Sequence, residues 1–313
     1  MGIVSGIKYV RYSAPDLDVM QGFLEDFGLV LSRRTDKELW MRGAGDEPVL
    51  HITEIGSERR GFGIGLQAAS LDDLHAIADA AGVELCAAPE HQGGKRATLV
   101  DPNGLRVDIV YGMPQADPLP IRAPLTLNDS RSSERRGIYQ RPMRGPSHVV
   151  RLEHAVLAGP NFEEALSFYQ TILGMKISDV ITAGEGGEAV AIFLHCGLGN
   201  AYTDHHTVAI MRSPESAIDH AGFVTLDWDD LMLGHQHLKA AGHVHDWGIG
   251  RHIMGSEIFD YWRDPFGNKL EHCFDGDLVN DDHEAVTVSI GDDILSIWSP
   301  PLSDSFTRLN TKD

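Results

Sequence analysis

His154, His220 and Glu271 are three residues of metal-binding type in the second half of the chain, each within a segment that reads as a β-strand. Two imidazoles and one carboxylate on one side of an ion leave positions open on the other. That donor set suits non-haem Fe(II), whose open positions must take both a substrate and O2, and Mn(II) accepts it as well. A lone His on a strand is more often structural than a ligand. What singles these residues out is their place in an internal repeat.

The elements that must position them occur twice. Gly6–Tyr12 leads into Asp16 and an apolar-periodic stretch ending at Gly28, and Arg151–Leu157 leads into Asn161 and a similar stretch ending at Gly174. Both read as a strand, a capped helix and a glycine stop, with Asn161 and Glu164 forming a capping-box-like pair. Ser70–Leu74 precedes a helix ending at Gly82, and Asp227–Leu231 precedes one ending at Gly242. Asp101-Pro-Asn-Gly104 matches Asp264-Pro-Phe-Gly267, each a type I turn between two strands. At equivalent points the first copy offers Tyr9, Gly63 and Asp108 where the second offers His154, His220 and Glu271.

The expected organisation is an α+β protein. Residues 1–112 form a metal-free module, 113–149 a Pro- and Arg-rich linker, 150–276 the metal-bearing catalytic module and 277–313 a docked tail. At 313 residues, with 42% hydrophobic residues, the chain can bury such cores. A net charge of −20 repels a phosphate backbone and argues against nucleic acid as a partner. No apolar run has the length of a membrane span, and the first residues lack the pattern of a signal peptide. Three widely spaced cysteines, Cys86, Cys196 and Cys273, fit a reducing cytoplasm rather than a disulfide scaffold.

One stretch is more specific than the repeat. His252 is followed after seven residues by Asp260-Tyr261-Trp-Arg-Asp264-Pro-Phe-Gly267-Asn-Lys-Leu-Glu271. In this pattern the sequence resembles the type I extradiol ring-cleavage dioxygenases of the vicinal oxygen chelate superfamily, of the catechol 2,3-dioxygenase and 2,3-dihydroxybiphenyl dioxygenase kind. Asp260 departs from the family, which has an apolar residue there. Asp219 departs too, standing where many members have a His before the second metal ligand.

The resemblance implies two tandem modules of paired βαβββ units forming open mixed β-barrels, with the metal in the C-terminal one. It implies a catechol and O2 as substrates, a hydroxymuconic-semialdehyde-type product and a homo-oligomer. It also implies roles for further residues. His206, fourteen residues before His220, would be the acid–base group. Tyr261 would hydrogen-bond a catecholate oxygen, and His252 would contact the substrate or stabilise charge on oxygen. The rival readings are an O2-independent metalloenzyme of the glyoxalase or epimerase type and a non-enzymatic small-molecule-binding protein. The first gives no reason for His206, His252 and Tyr261 together, and the second has no need of a complete His154–His220–Glu271 triad.

The remaining histidines read as ordinary. His235 and His237 are expected on the surface of a helix, while His243 and His245 pack or face solvent. Cys273 is expected to be buried on the Glu271 face. The linker arginines, Arg122 to Arg144, are expected to pair with carboxylates, with one of them reaching a substrate carboxylate as a lesser alternative.

Overall fold

The computed structural model describes residues 2–88, 93–290 and 295–312. The first half runs β1 (Val4–Ala14), α1 (Leu17–Asp26), β2 (Val30–Arg34), β3 (Glu38–Arg42), β4 (His51–Ile55), β5 (Gly61–Ala68), α2 (Leu71–Ala81), β6 (Cys86–Ala87), β7 (Lys95–Val100) and β8 (Arg106–Tyr111). The second runs β9 (Val149–Gly159), α3 (Phe162–Thr171), β10 (Met175–Thr182), β11 (Ala189–Cys196), β12 (Thr203–Asp204), β13 (Val208–Arg212), β14 (Ala217–Thr225), α4 (Trp228–Ala241), β15 (Val244–Arg251), β16 (Ile258–Arg263), β17 (Lys269–Phe274), β18 (Leu278–Val279) and β19 (Val286–Ser289).

Each half builds one mixed sheet, and the two sheets have the same topology. The first is ordered β2-β3-β4-β1-β5-β8-β7-β6. The second, read from the other end, is β19-β10-β11-β13-β9-β14-β17-β16-β15, the same plan with one strand added. The central pairings agree in direction as well. β1 with β4 and β5 with β8 are parallel, as are β9 with β13 and β14 with β17. Between them β1 runs antiparallel to β5, and β9 to β14. The repeat read from the sequence is thus a pair of modules of one topology, as expected of tandem vicinal-oxygen-chelate modules.

Strand alternation explains why each module has two faces. On β1, Val10 and Tyr12 join the main core beneath the helices, while Tyr9 points the other way into a small cluster with Trp40 and Ile52. On β9, Ala155 and Leu157 join the main core, while His154 and Val156 line a cavity. One face of each sheet is therefore structural, and the other is free to hold chemistry.

Helix starts follow local hydrogen bonding. Asp16 accepts from the amides of Asp18 and Val19, Ser70 from Asp73, and Asp227 from Asp230. Asn161 differs from the cap expected of it, because its side chain makes no capping bond. Its Nδ2 instead donates to the Pro102 carbonyl, and its backbone amide donates to Asn103 Oδ1, tying α3 to the first module. The two Asp-Pro-x-Gly turns close alike. Asp101 Oδ1 accepts from the Asn103 and Leu105 amides at 2.9 and 2.8 Å, and Asp264 Oδ1 from those of Phe266 and Asn268 at 2.8 and 2.9 Å. Gly104 and Gly267 take φ of +83° and +94°, a conformation that favours glycine.

Arg122 in the linker forks onto Asp227 at the start of α4, but Arg135 and Arg136 donate to linker carbonyls. Carboxylate pairing therefore holds for Arg122 rather than for every linker arginine. The tail is anchored by Arg263, whose buried guanidinium donates to the carbonyls of Ser305, Arg308 and Leu309. Among the described residues, no helix is long and apolar enough to cross a membrane.

Candidate functional site

Three adjacent strands of the second sheet carry the candidate ligands: His154 on β9, His220 on β14 and Glu271 on β17. The strand register brings them together. Gly222 pairs with His154 on one side and with Glu271 on the other, and His220 lies two residues before Gly222 on the same strand. A Cβ at Gly222 would stand 2.2 Å from the His154 ring, so glycine makes room for the imidazole. Nε2 of His154 is 3.0 Å, and Nε2 of His220 3.4 Å, from Glu271 Oε2. Three donor atoms therefore converge.

Their surroundings fit a cation. Asp219 Oδ2 bonds His220 Nδ1 at 2.7 Å, which leaves Nε2 as the donor facing Glu271. Asp219 sits at a register shift between β14 and β9, so it borders the cavity beside His220 instead of alternating away from it. Lys269 Nζ holds the same carboxylate at 2.9 Å. Glu271 Oε1 is buried with no hydrogen-bond partner. Burial alone would lower the His154 imidazole, but the neighbouring carboxylates of Glu153 and Glu271 outweigh burial and raise it to about 10. The carboxylates thus stabilise positive charge where a metal would supply it. The residues present fit a divalent metal.

The other residues expected at the site gather around this point. The rings of His206 and His154 are 4.2 Å apart. Burial, followed by the charges of neighbouring histidines, holds His206 well below the usual imidazole range. Its Nδ1 faces His205 Nδ1 at 3.2 Å and Glu257 Oε1 at 3.5 Å. His252 Nε2 and the Tyr261 hydroxyl are 2.8 Å apart. Nδ1 of His252 donates to the Leu295 carbonyl at 2.7 Å, which can only accept, so a neutral His252 accepts from Tyr261 through Nε2. Burial raises the Tyr261 phenol well above its ordinary value, with the charges of Glu271 and Glu257 adding to it. All six candidate residues line one cavity of about 150 Å³.

The rest of that cavity is largely apolar. Ile181, Phe193, Met211 and Met254 form its wall with Leu295 and Phe306 of the tail, and among the described residues no Arg or Lys lines it. The lesser alternative of a linker arginine at the substrate is therefore not what the described residues form. Cys273 is buried as expected, with Sγ 3.3 Å from Glu153 Oε2.

Sequence reasoning missed Glu257 and Glu153. Glu257 is buried, its Oε2 lacks a partner, and its carboxyl is raised well above the usual range by burial and then by the charge of Glu153. No motif marks either residue. Lys269 could have been found, since it is two residues before Glu271 on the same strand and shares its face.

The comparisons agree with this geometry. Residues 151–272 match the family described as Glyoxalase/Bleomycin resistance protein/Dioxygenase superfamily. The chain is 27% identical over 318 residues to metapyrocatechase 2 of Cupriavidus necator, covering 97% of this chain and 92% of that protein. It is 26% identical over 302 residues to biphenyl-2,3-diol 1,2-dioxygenase of Paraburkholderia xenovorans, covering 88% of this chain and 90% of that one. Homoprotocatechuate 2,3-dioxygenase from Brevibacterium fuscum has the same fold, with a TM-score of 0.79 at 16% identity over 97% of this chain and 92% of that one. So does a Mn(II)-bound glyoxalase from Novosphingobium aromaticivorans, with a TM-score of 0.78 at 24% identity over 98% and 94%. Residues 151–272 thus match the Glyoxalase/Bleomycin resistance protein/Dioxygenase superfamily, and along most of its length the chain resembles the extradiol ring-cleavage dioxygenases.

Proposed function

We propose that this protein is an extradiol catecholic dioxygenase that holds Fe(II) through His154, His220 and Glu271 and opens the ring of a substituted catechol beside the diol. Both atoms of O2 enter a hydroxymuconic-semialdehyde-type product. Residues 1–112 serve as the metal-free module, 113–149 as linker, 150–276 as the catalytic module and 277–313 as a tail that closes the pocket. The enzyme works in the cytoplasm as a homo-oligomer. The observation that carries the reading is the meeting of the three-donor set with His206, His252 and Tyr261 in one apolar cavity.

Bound there, Fe(II) supplies Lewis acidity and the redox capacity that O2 chemistry needs. The protein's own residues bind, orient and move protons. His206 is held neutral by burial and can take a proton from a catechol hydroxyl and return it later. Tyr261 keeps its phenol proton and presents a hydrogen bond to a substrate oxygen. His252 Nε2 stands 2.8 Å from the Tyr261 oxygen and positions that hydroxyl, and a substrate oxygen that gains negative charge draws the phenol proton more strongly. The apolar wall excludes water and favours rings bearing alkyl or aryl substituents over carboxylates.

The test is to load the anaerobic protein with Fe(II) and mix it with a panel of catechols in air. O2 uptake with yellow ring-opened product is expected, fastest for apolar substituents. No uptake with any catechol, at one iron per chain, would overturn the reading.

A further inference from the structure

On the opposite face of β16 from Tyr261, a second donor set gathers at Asp260, the residue that departs from the family pattern. Asp260 is fully buried. His245 Nε2 on β15 is 2.8 Å from Asp260 Oδ1, and His235 Nδ1 on α4 is 3.1 Å from both carboxylate oxygens. The three donor atoms lie within 4.8 Å of one another. Zinc at about 2.0–2.1 Å from tetrahedral nitrogen and oxygen ligands implies donor separations of about 3.3 Å. The two His–Asp separations, 2.8 and 3.1 Å, are near that size.

We propose that His235, His245 and Asp260 form a second cation site, distinct from the first, that takes a divalent metal of the zinc class with water as fourth ligand. Four features support it. The donors come from three different elements, so the ion would pin α4 to the strand carrying Tyr261. Trp262 Nε1 donates to Asp260 Oδ2 at 2.6 Å, which orients the carboxylate and leaves Oδ1 to the ion. The side chains of His235 and His245 are 16% and 29% exposed, so water and metal can enter. His272 pairs with Asp260 across β16 and β17, and its buried Nδ1 has no hydrogen-bond partner.

The competing arrangement is a hydrogen-bonded His–Asp–His cluster with no ion. The two differ in metal content.

The experiment is equilibrium dialysis of the full chain against Zn(II), with bound metal measured per chain. Two equivalents are expected for the native chain and one for His235→Ala/His245→Ala. Glu271→Gln should lose the other equivalent and keep this one. Titration with Co(II) gives a second readout, the intense visible band of a four-coordinate ion, which His245→Gln should remove. His245→Gln changes one partly exposed side chain and serves if the double variant does not fold. Fe(II)-dependent turnover of the His245 variant should stay within about twofold of native, because neither imidazole reaches the cavity. One equivalent in the native chain, or two that survive the double variant, would overturn the proposal.

Discussion

The two modules solve the same electrostatic problem in opposite ways. Asp108 occupies in β8 the place of Glu271 in β17, since Gly65 pairs with both Asp108 and Tyr9 as Gly222 pairs with Glu271 and His154. Even the close glycine recurs, with a Cβ at Gly65 standing 2.4 Å from the Tyr9 ring. In the first module, however, the buried carboxylate is fully satisfied. Tyr9 donates to it at 3.0 Å, Thr98 at 2.7 Å, Arg11 at 3.1 Å and Arg106 at 3.0 Å, with Arg96 at 3.7 Å. The second module surrounds Glu271 with imidazoles and further carboxylates and leaves Oε1 unpaired. Permanent guanidinium charge closes one site; among the described residues none is bonded to Glu271, and on the proposed reading a metal takes that place.

This contrast can be broken at either end. The largest effect is expected at Glu271. Glu271→Gln should abolish iron binding at the triad and lower turnover by more than about 10³-fold, read by metal analysis and O2 uptake. Next comes His206→Ala, which should keep the triad's iron and lose about 10²–10⁴-fold in turnover; unchanged turnover would remove the acid–base role. At the matching place in the first module, Asp108→Asn should leave turnover per folded molecule unchanged. It should cost about 3–5 kcal/mol in urea unfolding, because it strips the partner from buried guanidinium groups. A loss of bound iron in that variant would contradict the division of labour. The smallest effect is expected at Asp219. Asp219→Asn weakens the partner of His220 and should reduce metal affinity about 10–100-fold.

The repeat itself was legible because turn and cap residues act locally. The Asp-Pro-x-Gly turns and the glycines that end the helices impose backbone geometry within four or five residues, so they align the two copies by eye. That alignment carried the triad, since residues at matched points of matched strands face the same way. Asn161 shows the limit of local reasoning: a capping side chain drawn to a tertiary partner, the Pro102 carbonyl, 59 positions away. His235, His237, His243 and His245 show it more strongly. Read alone they are polar positions on a helix and an edge strand. In the fold, His237 and His243 both hold Asp26 of the first module at 2.8 Å, while His235 and His245 hold Asp260. Glu257 was invisible for the same reason, because its role depends on which side chains surround it and not on its neighbours in sequence.

The central claim is that one metal-bearing module joins a catechol to O2 while its twin only supports it. The most direct measurement is stoichiometric. Iron-loaded protein is mixed with a known amount of catechol without oxygen, and O2 is then admitted while both are followed. The account predicts no conversion before O2 enters, one O2 consumed per catechol afterwards, and neither in Glu271→Gln. Conversion of the catechol without O2, or uptake undiminished in Glu271→Gln, would contradict it.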